Sequence, residues 1–325
     1  MKPSKSSIWA YLVVAGVGLF MGVFLFSLNP WMKDDLHSDS YAWFLDFSRS
    51  IYQPQSAYYA ESILLPLLAK MVGASRSLFA YKFLCGVLTI GILPIAAIFA
   101  QRYFQNILKT ILFIVLFGST FQYLQYYILG FPDPLTILLL VLAVFQKRLI
   151  AIFILLVLAM LSHFSMAALA VIGLASLVCF SPIHSKHVSI KLLGVMISAI
   201  FAGKVILLAW YSLFDYQLIS RLDWVIGKGY PFFLERYESN ILGFWSTPGI
   251  AFLTLYFLIT AYFLIEKKYV FVFSALFSLV ISYAALFWTV DGLRVFAVVI
   301  AASFAYLLLS FIQNISDQLA SKRNL

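Results

Sequence analysis

Ten apolar runs divide this chain, and its polar residues gather in the gaps between them. The runs cover 8–28, 78–100, 111–129, 134–145, 149–161, 165–180, 192–211, 241–265, 269–288 and 295–312. The longer ones reach the roughly 20 residues an α-helix needs to cross a bilayer. The fourth and fifth are short, which predicts helices that are tilted, broken or packed inside a bundle. Two stretches between the first and second runs have helical character without the makings of a span. In 41–52 (YAWFLDFSRSIY), Tyr41, Phe44, Leu45, Ser48, Ile51 and Tyr52 fall on one helical face, and Asp46 and Arg49 stand three apart. The stretch 57–73 (AYYAESILLPLLAKMVG) holds Glu61, Pro66 and Lys70 within 17 residues, and it reads as a re-entrant or interfacial helix. The expected fold class is therefore all-α: a polytopic integral membrane helix bundle of about ten transmembrane helices. Two interfacial helices lie along the membrane surface in the first external loop, 29–77. The whole chain, 1–325, reads as one transmembrane domain, with a second long external loop at 212–240.

Composition agrees with the pattern. Hydrophobic residues make up 63% of the chain and charged residues 11%, where a soluble domain carries about 25% charged residues. The net charge of +9 would suggest a nucleic-acid partner if it were concentrated in one patch, but its distribution reads as topology instead. With the N-terminus in the cytoplasm, six segments on that side each carry a basic pair. They are Lys2/Lys5, Arg102/Lys109, Lys147/Arg148, Lys186/Lys191, Lys267/Lys268 and Lys322/Arg323, a positive-inside pattern that puts both termini in the cytoplasm. If 57–73 crossed the membrane, five of the six pairs would become external. Cys85 and Cys179 both sit inside apolar runs and read as small buried hydrophobes rather than a disulfide. The basic lead Met1 to Ser7 opens onto a run too long for a signal-peptide core and without a cleavage site, so it reads as a retained first span.

The acidic residues are distributed the other way. Of the thirteen, all but Glu266 and Asp317 fall on the external side, and carboxylates near lipid are usually retained for chemistry. The stretch 33–41 (KDDLHSDSY) brings Asp34, Asp35, His37 and Asp39 to the end of the first span. These groups could bind a cation, act as a general base, or solvate a loop. The turn 130–136 (GFPDPLT) puts Asp133 between two prolines, where it could also be a helix N-cap. The next external turn, 161–166 (LSHFSM), carries His163. The last one, 289–294 (TVDGLR), carries Asp291 and Arg294 at the spacing of a local ion pair. Lys204 lies about seven residues inside its span, roughly 10 Å deep at ~1.5 Å per residue. It either snorkels to the surface or pairs with an anion in an outward-facing cavity. His184 and His187 flank Lys186 in a cytoplasmic loop and suggest nothing special. There is no phosphate loop, zinc-ligand spacing, dinucleotide fingerprint or nucleophile elbow.

The stretches KDDLHSDSYAWF (33–44) and YYAESILLPLLAKMVG (58–73), with the external GFPDP turn, resemble the GT-C class of polytopic glycosyltransferases. The LSHFSM and DGLR turns also resemble membrane polysaccharide polymerases of the EpsG or Wzy kind. Both families act on lipid-linked sugars at the outer face of the bacterial cytoplasmic membrane. The short chain and the absence of a soluble C-terminal domain depart from the larger GT-C members. The resemblance implies transfer of a sugar from a polyprenyl-phosphate or -pyrophosphate donor to a glycan or lipid acceptor of the cell envelope. It implies a catalytic carboxylate in the first external loop: Asp35 first, Asp39 second, with Asp34 the third candidate. Asp133 and His163 would orient acceptor or base, Arg294 and Lys204 would face the leaving phosphate, and Asp291 and His37 would complete the binding residues. A divalent cation, magnesium or manganese, held by Asp35, Asp39 and Asp133 is compatible with that arrangement but not required by it. The rival from another class is a lipid-linked-sugar flippase or transporter. Transporters tend to place ionisable groups near the midplane and to show repeated halves, and neither feature is evident in this sequence.

Overall fold

The computed structural model describes residues 5–28, 38–52, 54, 57–121, 130–216, 247–287 and 292–323, with six further positions between 223 and 238. Over its described residues every apolar run is helical, and there is no strand among the described residues. In chain order, α1 is Lys5–Ser27, α2 Ser38–Arg49, α3 Ala57–Ala60 and α4 Leu64–Met71. After a 3₁₀ turn at Ala74–Arg76 come α5 Leu78–Phe104, α6 Ile107–Phe121, α7 Asp133–Val144, α8 Leu149–Ser162 and α9 Phe164–Cys179. The chain continues with α10 Lys186–Ser212, α11 Thr247–Ile265, α12 Tyr269–Phe287 and α13 Gly292–Arg323. Four of these, α1, α5, α10 and α13, are long and apolar enough to cross a membrane.

α13 is the axis of the bundle. It packs on α6, α7, α9, α11 and α12, and its apolar stretch is 94% buried. The helix runs well past the expected apolar limit at 312. Its polar tail is held by α11: Asn314 donates to the Tyr262 hydroxyl at 3.0 Å and Gln318 to the Glu266 carboxylate at 2.7 Å.

α1 lies at the edge of the bundle, burying Val14 and Leu25, and packs chiefly on α5. Gly18 and Gly22, spaced four apart, make that approach close. A Cβ at Gly22 would lie 2.7 Å from the Ile90 carbonyl oxygen, and one at Gly18 would lie 2.8 Å from the Pro94 Cα. Small residues at this spacing let apolar helices meet backbone to backbone, where dispersion replaces the missing hydrophobic drive.

The first long loop folds back onto the bundle. α2 buries Phe44, Leu45, Phe47 and Ser48 and leaves Asp46 and Arg49 outside, joined at 3.0 Å. Arg49 also donates to the Ser75 carbonyl at 3.2 Å, which ties α2 to the 3₁₀ turn. Within 57–73 the longest helix is α4, with eight residues. At ~1.5 Å per residue that is about 12 Å, far short of the ~30 Å hydrocarbon core. α4 packs on α2 and on α8.

Candidate functional site

Four buried ionisable groups collect at one end of the bundle: Asp133 (4% exposed), Arg294 (6%), His163 (1%) and Glu61 (3%). They arrive on four separate stretches of chain. Asp133 opens α7, with Pro134 in its first turn, where a fixed φ and a missing N–H cost nothing. His163 is the single extended residue between α8 and α9. Arg294 is in the first turn of α13, and Glu61 lies between α3 and α4.

Hydrogen bonds connect these stretches. The Arg294 guanidinium donates to the Asp133 carboxylate at 2.6 Å. Thr136 Oγ1 donates to Ser162 Oγ at 2.8 Å, and Ser162 Oγ donates to the Pro132 carbonyl at 3.2 Å. The residue before His163 is thereby bound to the residue before Asp133. Phe164 N–H donates to the Glu61 carbonyl at 3.1 Å, and Ser165 Oγ donates to the Glu61 carboxylate.

Arg294 sits at the positive end of its own helix, an unfavourable place for a cation. Asp133 offsets this, since its carboxylate stands in the first turn of α7, where negative charge is favoured. The guanidinium also lies over the Phe131 ring, 4.1 Å from its centroid, a cation–π contact strengthened by desolvation. Phe44 of α2 packs edge-on against Phe131 at 5.4 Å, and Phe44 in turn meets Tyr59 at 5.1 Å. α2 therefore touches the ion pair through one aromatic ring.

Gly130 lets α2 come this close. Its φ is +103°, a region that side-chain-bearing residues rarely enter. A Cβ there would lie 3.0 Å from the Tyr41 backbone nitrogen. The Tyr81 hydroxyl donates to the Gly130 carbonyl at 3.1 Å and pins the turn from the α5 side. Burial pushes the Tyr41 phenol above its ordinary ionisation range, so it is a neutral wall.

Lys204 approaches from α10. Its ammonium stands 4.9 Å over the Phe164 ring, next to His163. Three helix N-termini also meet here: α7, α9 and α13. Neither α7 nor α9 has a side-chain cap. The first N–H of α9 is taken by the Glu61 carbonyl and α7 carries Asp133 in its first turn, so what remains is the partial positive charge of the helix ends, which favours an anion.

The structure thus brings together Asp133, His163, Arg294 and Lys204 of the residues expected from sequence. Asp39 is the second residue of α2, two positions before the Tyr41 contact with Gly130. Asp34, Asp35, His37 and Asp291 lie outside the described residues, as does most of the 212–240 loop. Glu61 was missed as a site residue, because in 57–73 it weighed only as a reason the segment would not span. The signal available was a carboxylate flanked by apolar residues in the loop that also carries KDDLHSDSY.

Of the metal ligands expected from sequence, only Asp133 has a described side chain. Its carboxylate is bonded to the Arg294 guanidinium, which a divalent cation there would have as a neighbour. Among the described residues no three His, Cys, Asp or Glu side chains gather as a metal site. Comparison of this chain with known protein families, with curated proteins and with solved structures finds no match.

Proposed function

We propose that this chain is a polytopic membrane glycosyltransferase. It would move a sugar from a polyprenyl-phosphate-linked donor to an envelope glycan or glycolipid at the extracytoplasmic face of a bacterial cytoplasmic membrane. In this reading ten helices cross, both termini are cytoplasmic, and the end holding Lys147, Lys186 and Lys267 faces inward.

The observation that carries the reading is the convergence of Glu61, Asp133, His163 and Arg294 at one end of an apolar bundle. Helix lengths support it. α7 has 12 residues and α8 has 14, about 18 and 21 Å, against a ~30 Å core. If their basic ends lie at the inner surface, Asp133 and His163 sit roughly 10 Å below the outer one. The site would then be a recess in the membrane, roofed by α2 and α4. A lipid-phosphate donor could reach it without leaving the bilayer.

The step balances as follows. The acceptor hydroxyl oxygen forms a bond to the sugar's anomeric carbon, and the bond from that carbon to the lipid phosphate oxygen breaks. The hydroxyl proton goes to a carboxylate, and the phosphate leaves with the electron pair. The carboxylate comes from the first external loop: Asp35, then Asp39, with Glu61 added as a third candidate from the same loop. Asp133 already balances the charge of Arg294, so this pair braces the site. Lys204 and the three helix N-termini are left to receive the leaving phosphate.

The test is transfer of radiolabelled sugar in membranes, paired with a donor-binding assay. Asp35→Asn, Asp39→Asn or Glu61→Gln should abolish transfer with donor still bound, and Lys204→Ala should weaken donor binding. Full transfer by all three carboxylate variants would overturn the mechanism. Substrate translocation in proteoliposomes without any transfer would assign the site to a flippase.

A further inference from the structure

At the opposite end of the bundle a cavity of about 260 Å³ opens between the α7–α8 turn, the α9–α10 turn and α13. Its polar lining is Gln146, Lys147, His184, Tyr103 and Tyr306, and no carboxylate lines it. The Lys147 ammonium stands 5.3 Å over the Tyr103 ring, and the His184 ring lies 6.0 Å from that of Tyr306. Tyr306 is only 3% exposed, and its hydroxyl bonds Ser181 at the wall. Burial, only partly opposed by a backbone hydrogen bond at Ile183, holds the His184 pKa below its usual value. The first turns of α8 and α10 line the same cavity through Leu149, Ile152 and Val188. Neither helix has a side-chain cap or an acidic residue in its first turn.

We propose that this cavity binds the phosphate headgroup of an anionic phospholipid. The lining offers donors and positive charge: the Lys147 ammonium, an imidazole, a primary amide, the Tyr103 phenol and the first turns of two helices without side-chain caps. The volume falls below the about 300–1,000 Å³ of pockets for drug-sized ligands, which suits a headgroup better than a nucleotide. Leu192 and Leu309 form an apolar wall. At the cavity mouth Leu149 and Val188 are apolar and exposed. That apolar rim favours a lipid over free phosphate. Basic pockets between helices at one membrane face are a recurring way to hold such headgroups. The proposal does not depend on glycosyl transfer.

The test uses the full chain, purified and delipidated in neutral detergent, with lipid retention read by native mass spectrometry. The probes are phosphatidylglycerol, phosphatidylcholine and inorganic phosphate. Wild type should retain phosphatidylglycerol over phosphatidylcholine. Lys147→Gln with His184→Gln should cut that preference about fivefold or more, the scale of one lost cation near a membrane surface. Lys147→Arg should keep it, which separates lost charge from lost folding. Lys267→Gln with Lys268→Gln, at the same end but outside the cavity, should also keep it. An unchanged preference in the cavity double variant, or an equal loss in the Lys267/Lys268 control, would overturn the proposal. So would inorganic phosphate displacing the lipid completely at millimolar concentration, since that assigns the cavity to free phosphate.

Discussion

The two ends of this bundle are held by different physics. At the end bearing Asp133, charged groups are buried and answered from distant parts of the chain: Arg294 answers Asp133, and Ser165 answers Glu61. At the opposite end the contacts are largely aromatic, with the Glu266 carboxylate held by Gln318. Phe145 packs edge-on against Phe113 at 5.0 Å and against Tyr103 at 6.1 Å, and Tyr306 reaches Ser181. The charges there, such as Lys147, stay at the surface and touch rings. Burying an ion pair is a poor way to gain stability, because the desolvation cost rivals the attraction. An end built so is expected where buried charge is used in chemistry, and an end built of rings where charge is kept at the surface. The difference between the ends therefore favours the Asp133 end as the working one.

The largest expected effect is on chemistry. Asp35→Asn, Asp39→Asn or Glu61→Gln, whichever removes the base, should lower sugar transfer by about 10²–10⁴-fold, measured as labelled product in membranes. His184→Gln at the other end should leave transfer unchanged. A loss at both ends would break the comparison.

Stability sharpens it next. Arg294→Met leaves a buried carboxylate without its cation and should cost about 3–5 kcal/mol, read from thermal unfolding in detergent. Combining it with Asp133→Leu should recover most of that loss. A cost that stays additive in the double variant would mean the pair is not the brace described. At the ring end Tyr306→Phe removes one hydroxyl bond and should cost only about 1 kcal/mol, measured in the same way.

The smallest effect is a pH dependence. Burial lowers the His184 pKa, so below its ordinary value the unfolded chain binds more protons than the folded one. Stability should therefore rise with pH through that window and fall as the solution becomes more acid. His184→Gln should flatten that slope, seen as a smaller change in Tm between mildly acid and neutral solution.

The helices were legible because their signal is local. Apolar runs marked α5, α8 and α12 to within a few residues. The α2 face was readable because Phe44, Leu45 and Ser48 recur at helical spacing. α13 was read short because its last turns are polar, and what holds them is α11, a tertiary fact. The site was half legible for the same reason. Prolines, a histidine and an arginine at span ends marked the turns. The spacing of Asp291 and Arg294 suggested a local pair, whereas the partner shown for Arg294 is Asp133, 161 positions away. No periodicity carries that information. Glu61 was hidden by its apolar neighbours, which made its segment a question of topology rather than of chemistry.

The central position of α13 also has a consequence in time. The helix at the bundle axis is the last of these helices to leave the ribosome. Asp133 is synthesised 161 positions before Arg294. At about 5–20 residues per second, the carboxylate of α7 waits roughly 10–30 s for its cation. During that interval α6, α7 and α9 lack the helix they close around. The membrane must therefore hold a half-built bundle with an acidic group near its open end until α13 arrives.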